Sequence, residues 1–166
     1  MEYITLILIG IISRLVPHLP NMTPVGATAL FTGSKYGMKK AFVVTTLTML
    51  VTDLIIGLHP VMWATYGSFF ITIFIGRMIA GKKNAGKILA ASLLSSAVFF
   101  IITNLAVWLV PGSMYPRTLS GLLYCYIMAL PFFRNMLIGD LFYTTVFFGG
   151  LELVKALRKK IVLMHY

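Results

Sequence analysis

The sequence has little acidic charge and almost no cysteine. Four Asp and Glu stand against 14 Lys and Arg in 166 residues, and Cys125 is the single cysteine. One cysteine excludes an intrachain disulfide framework and any cysteine-based metal cluster. Charged residues make up only 11%, against about 25% in an ordinary soluble domain, while 59% are hydrophobic and the mean hydropathy is +0.93. This balance is typical of an integral membrane protein with a single domain, residues 1–166.

The sequence also lacks the short motifs of ATP-using and catalytic proteins. It has no Walker A motif, no glycine-rich phosphate loop and no Ser/His/Asp arrangement. His18, His59 and Asp53 do not have the spacing of a metal site. We therefore expect no enzyme activity, no cofactor and no metal. The net charge of +10 does not indicate a nucleic-acid partner, because the basic residues lie between apolar segments rather than on one soluble face.

Six apolar segments predict an all-α membrane protein with six transmembrane helices. Crossing the hydrocarbon layer takes about 20 helical residues, with a lower limit near 17. The first segment carries Glu2 and no cleavage site, so we interpret it as a retained helix rather than a signal peptide. Thr23 is a plausible N-cap of the second, after a proline-rich turn. The predicted spans, two of them short, are residues 3–16, 23–36, 40–57, 61–80, 87–109 and 131–153.

The longest connection between these segments, Val110 to Ala129, is apolar in its second half. We predict an amphipathic or half-inserted helix there, separate from the sixth span.

Basic residues are distributed unequally between the two sides of this arrangement. With six alternating spans, one side receives Arg14, Arg117 and Arg134, and the other receives the remaining eleven of the 14. Because Lys and Arg mark cytoplasmic loops, we predict that both termini are cytoplasmic in a multi-pass protein of the cytoplasmic membrane. The cytoplasmic group is Lys35, Lys39, Lys40, Arg77, Lys82, Lys83, Lys87, Lys155, Arg158, Lys159 and Lys160.

Most polar residues inside the predicted spans fall in the outer half of the membrane. Intramembrane ionisable residues are costly and mark functional sites by default. We therefore predict an outward-opening pocket beneath the loops around Pro20 and Tyr115. The candidate ligand-binding residues are Asn21, Asp53, Trp63, Tyr66, Asn104, Trp108, Tyr115, Arg117, Arg134, Asn135 and Asp140.

Each type of candidate residue also has a structural interpretation. Asp53 and Asp140 could bind a cationic or hydroxyl-rich ligand, relay protons, or form an ion pair with Arg134. Arg134 and Asp140 are six residues apart, about 240° around a helix, so they cannot pair with each other within it. The asparagines could form hydrogen bonds between helices. The aromatic residues could form a belt at the membrane interface instead of stacking on a ligand. The small-xxx-small patterns from Ala29 to Gly33 and from Gly76 to Ala80 permit close helix contact, within the protomer or with another subunit.

Several blocks of sequence resemble an uncharacterised family of bacterial integral-membrane proteins. The blocks are RLVPHLPNMTPVGATALFTG, TDLIIG from Thr52 to Gly57, TNLAVWL from Thr103 to Leu109, YPRTLSGLLYCY and PFFRNMLIGDLFY. That family is similar to the substrate-binding S components of energy-coupling factor (ECF) transporters. The resemblance implies six helices, cytoplasmic termini, and a vitamin or micronutrient site near the outer face, capped by the first and fifth loops. It also implies a transmembrane T component and two ATPases as partners, although residues 3–16 lack the alanine-xxx-alanine pattern that S components often have.

Three hypotheses of function follow from the sequence. The first is a substrate-capture subunit that takes up a vitamin or other micronutrient from the outer face. The second is a self-sufficient small carrier that uses Asp53 or Asp140 as its proton site; two inverted halves would favour it, but no convincing repeat is visible. The third is a small membrane enzyme or an assembly factor. The partners expected for the first are a small molecule, the lipid bilayer, and T-component and ATPase subunits.

Overall fold

A computed structural model describes residues 2–81 and 84–163, and the regular secondary structure within these ranges is entirely helical. The prediction of an all-α fold with six helices is confirmed for these residues. Lys82 and Lys83, counted above with the cytoplasmic group, and the ends of the predicted 1–166 domain lie outside the described residues. The helices are α1 (Glu2–Leu15), α2 (Val25–Tyr36), α3 (Met38–Ile56), α4 (Met62–Met78), α5 (Ala85–Leu109) and α6 (Leu119–Leu163).

Helix α2 is the centre of the bundle. Every residue from Val25 to Ser34 is buried, and α2 contacts each of the other five helices. Its 12 residues make a rod of roughly 18 Å at 1.5 Å per residue. The short second segment is therefore enclosed by the longer helices, and its alanines, glycines and threonines suit that crowded position.

Helices α2 and α4 approach each other most closely at two glycines. A Cβ atom added at Gly33 would overlap the carbonyl oxygen of Ile73, and one added at Gly76 would overlap the carbonyl oxygen of Leu30. The two contacts are reciprocal, since each helix supplies one glycine and one carbonyl. Small residues at such crossings let backbones approach to distances that larger side chains prevent.

The second half of the predicted 110–129 connection is helical, as expected, but the sixth span does not begin at Pro131. Helix α6 begins at Leu119 and continues through both segments without a break. Its 45 residues include Pro131 in the interior, where proline removes one intrahelical hydrogen bond. Contacts with α5 hold the first part of α6 in place. The Tyr126 hydroxyl donates to the Ile101 carbonyl at 2.8 Å, and the Cys125 thiol lies 3.5 Å from the Asn104 carbonyl. These tertiary contacts override the local signal of the proline.

Two helical stretches of the described chain are long and apolar enough to cross a membrane, Ala85–Leu109 and Leu119–Ile161, and Tyr3–Leu15 is a shorter apolar helix. In the most apolar windows of the two long helices, only 28% and 22% of the residues are buried. Large hydrophobic side chains are also exposed on α1, α3 and α4. Core helices of soluble proteins bury such side chains, so these helices present an apolar exterior.

Candidate functional site

One end of the bundle contains a cavity of about 670 Å³. It is lined by the last turns of α1, α3 and α5, the first turns of α2 and α4, the middle of α6, and the α1–α2 loop. Sites for small organic molecules commonly measure about 300–1,000 Å³ and combine apolar walls with a few polar groups. The size and the mixed lining of this cavity both fit that description.

Phenylalanine rings form much of the cavity wall. Phe69, Phe99, Phe100, Phe132 and Phe133 all line it. The Phe100 and Phe133 rings stack with centroids 4.4 Å apart and an interplanar angle of 26°, and Phe69 and Phe99 lie 5.0 Å apart. Because four of these rings pack in two pairs, one between α4 and α5 and one between α5 and α6, the wall is held in place and offers flat apolar surfaces to a ligand.

Arg14 lines the cavity and is held by Asp53 from behind. The guanidinium donates to Asp53 Oδ1 at 2.6 Å, and the Tyr66 hydroxyl donates to Asp53 Oδ2 at 2.9 Å. Arg14 also contacts the sulfur of Met49. The Arg14 side chain is 16% exposed and that of Asp53 only 2%. Asp53 therefore neutralises and orients Arg14, while Arg14 reaches the cavity.

Asp140 borders the cavity where α6 meets the start of α2. Its side chain accepts a hydrogen bond from Ser96 Oγ at 2.7 Å and one from the Ala27 backbone amide. The prediction that Thr23 caps α2 is wrong, because Pro24 occupies the N-cap position and no side-chain cap bond forms there. Asp140 instead satisfies an amide of the first turn from another helix, and its carboxyl group lies at the positive end of the α2 dipole.

Gly26 makes room for this carboxylate. A Cβ atom added at Gly26 would lie 2.5 Å from Asp140 Oδ1. The absence of a side chain at this position is what lets α6 bring its carboxylate onto the first turn of α2.

Three predicted site residues line the cavity: Asn21, Asn104 and Asp140. Asn21 has a φ of 62°, a left-handed conformation that asparagine adopts more readily than most residues. Asn104 donates its side-chain amide to the Phe100 carbonyl at 2.8 Å. The structure thus brings together residues from the first loop, α5 and α6, which are far apart in the sequence.

The other eight predicted residues lie outside the lining, and three of them bind backbone carbonyls in or beside the α1–α2 and α5–α6 loops. Asn135 donates to the Pro20 carbonyl at 3.2 Å and ties α6 to the α1–α2 loop. Trp108 donates from Nε1 to the Pro116 carbonyl at 2.8 Å. Arg117 donates to the Leu109 and Val110 carbonyls at 2.5 and 3.0 Å and lies 5.4 Å from the Trp108 ring centroid.

Five further candidates have different surroundings. Asp53 and Tyr66 lie behind Arg14, as described. Tyr115 packs edge-on against Tyr124, with ring centroids 5.9 Å apart, and burial raises the pKa of its hydroxyl. Trp63 is 63% exposed, and Arg134 is exposed on α6. Among the described residues Arg134 has no ion-pair partner, so neither aspartate pairs with it.

Arg14 is the principal cavity residue absent from the predicted set. It is the single basic residue of an otherwise apolar α1, so the rule that selected Arg134 could also have selected Arg14. Ser96 carried no comparable signal, because serine is common in helices, where its hydroxyl usually lies near a backbone carbonyl; Ser96 Oγ is 3.1 Å from the Ser92 carbonyl oxygen.

Residues 2–81 and 84–163 contain no cluster of three or more His, Cys, Asp or Glu side chains that could hold a metal ion.

Comparison with known proteins gives one match. A protein-family model described as a family of unknown function (DUF6580) matches residues 1–162. The matched range includes α1 to α5, all but the last residue of α6, and every residue of the cavity lining. No curated protein and no solved structure matches the chain.

Proposed function

Since the chain belongs to the DUF6580 family, whose function is unknown, we propose from its geometry that it is a substrate-binding membrane subunit similar to the S components of ECF transporters. In this proposal the protein captures a vitamin or other micronutrient in the cavity at the end of the bundle. The observation that carries the proposal is the cavity itself, about 670 Å³ in volume and lined by phenylalanine rings, Arg14 and Asp140.

The membrane placement that we propose has all six helices within the bilayer, the short α2 being enclosed by the five longer ones, with both termini cytoplasmic and the cavity opening to the outer face. The exposed apolar side chains of five helices support it, because lipid is the solvent that such surfaces require. The basic residues support it as well. Lys35, Arg77 and Lys87 lie at the ends of α2 and α4 and the start of α5, which are the ends remote from the cavity.

A capture role fits the way in which the cavity is built. Its polar groups are braced by other residues: Arg14 by Asp53, and Asp140 by Ser96 and Ala27. Groups that are held in place before the ligand arrives lose less conformational freedom on binding, which favours affinity.

The experiment that tests the proposal is native mass spectrometry of the protein purified from its host in mild detergent. We expect a small molecule to copurify with the natural sequence and to be lost in Asp140→Asn and in Arg14→Gln. Arg134→Gln is the matched control, because Arg134 is an exposed charge on α6 outside the cavity lining. Size-exclusion profiles and helical circular dichroism establish that each variant is folded. Retention of the molecule by both cavity variants would contradict the site.

Partner subunits provide a separate test. Affinity purification from native membranes should recover a T-type membrane protein and ATPases with the chain. If the pure protein alone moves solute into liposomes and no such subunits copurify, it is a self-sufficient carrier and the capture-subunit proposal fails.

A further inference from the structure

Two ionisable side chains of the cavity can make further hydrogen bonds, Arg14 as a donor and Asp140 as an acceptor. Arg14 uses one guanidinium N–H on Asp53 and one on Met49. Because a guanidinium carries further N–H donors in a fixed fork, Arg14 can still bind a planar acceptor such as a carboxylate. Asp53 accepts from one guanidinium nitrogen and is itself held by the Tyr66 hydroxyl, so it orients Arg14 without using the remaining donors.

Asp140 offers the opposite kind of group. It accepts from Ser96 and from the Ala27 amide, and a carboxylate has roughly four acceptor positions. Acceptor capacity therefore remains on a side chain that lines the cavity and is only 4% exposed. A ligand group that donates hydrogen bonds or carries positive charge would use it.

An apolar patch separates these two groups. Arg14 contacts Met49, Met49 packs with Val25 and Phe69, and the next residue along α2, Gly26, lies against Asp140. Arg14 and Asp140 thus flank the Met49–Val25 surface, and the phenylalanine rings stand around it. The cavity has a donor at one side, an acceptor at another, and a flat apolar surface between them.

From this arrangement we infer that the cavity takes an amphoteric organic molecule, whose acidic group binds Arg14, whose basic group binds Asp140, and whose flat apolar body lies among the phenylalanines. A purely anionic molecule would leave the remaining acceptor positions of Asp140 without a donor, and a purely cationic one would leave the remaining donors of Arg14 without an acceptor. Polar groups left without partners in a desolvated site oppose binding, so the cavity discriminates against both. This inference rests on the proposed capture function and specifies its ligand class.

The test uses three probes of matched shape: 4-(aminomethyl)benzoate, which carries both groups, 4-methylbenzoate, which carries only the acid, and 4-methylbenzylamine, which carries only the amine. Dissociation constants are measured at pH 8 by saturation-transfer NMR on the full chain in lipid nanodiscs. We expect the amphoteric probe to bind at least about tenfold more tightly than either other probe, since each charge-assisted bond contributes more than about 1.4 kcal/mol.

Two variants test which residue binds each charged end of the amphoteric probe. In Asp140→Asn the amphoteric probe should bind no more tightly than 4-methylbenzoate but still more tightly than 4-methylbenzylamine. In Arg14→Gln it should bind no more tightly than 4-methylbenzylamine but still more tightly than 4-methylbenzoate. Arg134→Gln should leave all three constants unchanged.

Equal binding of the three probes, no binding of the amphoteric one, or an unchanged preference in both variants would overturn the inference. These outcomes are distinguishable from failure of the proposed function. A natural molecule that copurifies but lacks either charged group refutes only the ligand class, whereas the capture function fails if the copurification experiment yields no ligand.

Discussion

Asp140 takes part in helix packing and also lies at the cavity. It satisfies the first turn of α2 through the Ala27 amide, and it also borders the cavity. In the proposed function, a ligand that contacts Asp140 also contacts the group that holds α2 against α6. The proposal therefore predicts that ligand occupancy and the packing of the central helix are coupled through this one carboxyl group.

The space beside Asp140 gives a prediction for Gly26. Gly26→Ala places a methyl group 2.5 Å from Asp140 Oδ1, so the Asp140 side chain or one of the two helices must shift. Overpacking of this kind costs about 1–3 kcal/mol, and we expect lower thermal stability in detergent together with weaker ligand retention. Gly67→Ala is the control, because a Cβ at Gly67 meets nothing within 4 Å. Equal melting temperatures for the two variants would show that the carboxylate has room to move.

The Arg14–Asp53 ion pair gives a second prediction. Arg14→Leu leaves Asp53, which is 1% exposed, with Tyr66 as its remaining partner. Removing one member of a buried pair typically costs about 3–5 kcal/mol, because an uncompensated charge stays behind. We expect the double variant Arg14→Leu, Asp53→Leu to unfold at higher denaturant concentration than Arg14→Leu alone.

The control for this pair is Lys155→Ala. It breaks the Lys155–Glu152 pair, whose side chains are 52% and 50% exposed, and such exposed pairs contribute less than about 1 kcal/mol. A loss as large in Lys155→Ala as in Arg14→Leu would contradict the buried character of the Arg14 pair.

Helices α2 and α4 show what the small-residue patterns do. Gly33 and Gly76, one from each pattern found in the sequence, lie on the contact between these two helices of the same protomer. The patterns alone were equally compatible with contact to another subunit. The tight crossing packs the short central helix against a longer neighbour, and so sets the position of the first turn of α2 beneath the cavity.

This crossing predicts a strong effect of larger side chains. Gly33→Leu and Gly76→Leu must separate the two backbones, so each should lower stability by more than about 3 kcal/mol or prevent folding. Gly149→Leu on α6 is the control, since its Cβ would meet nothing within 4 Å. The measurement is the yield of monodisperse protein and its unfolding in mixed micelles. Normal yield and stability of the Gly33 and Gly76 variants would show that the crossing is looser than the structure has it.

The molecule as a whole is asymmetric along its helices. The cavity occupies the end where α1, α3 and α5 finish. Lys35, Lys39, Lys40, Arg77 and Lys87 occupy the opposite end, as do the basic residues late in α6. This separation supports the proposed orientation, with the cavity outward and the basic residues in the cytoplasm, because Lys and Arg prefer cytoplasmic loops.

Thiol labelling in intact cells checks that orientation. The natural Cys125 is buried and is replaced by Ser, and a single cysteine is then introduced as Ser113→Cys or as Lys159→Cys. A membrane-impermeant maleimide should label Ser113→Cys in intact cells, and label Lys159→Cys only after lysis. The reverse pattern would place the cavity on the cytoplasmic side and refute capture from outside.

Much of the fold could be predicted from the sequence, since helices in an apolar chain are signalled by local composition. The all-helical class with six helices follows from runs of hydrophobic residues, and breakers such as Pro17 and Gly57 mark several of their limits. Asn104 and Asp140 could be selected as cavity residues because polar groups are rare and costly in such segments. The start of α6 could not be predicted, because contacts of Cys125 and Tyr126 with α5 outweigh the breaking tendency of Pro131.

By itself, then, the sequence determined the helical class, the segregation of basic residues and a short set of polar candidates, because each is a property of neighbouring residues. Tertiary structure alone decided which residues the candidates contact. Asp53 pairs with Arg14, 39 positions away, and Asp140 accepts a hydrogen bond from Ser96, 44 positions away. Such pairings depend on the rotation and packing of whole helices, which the periodicity of a single segment does not specify.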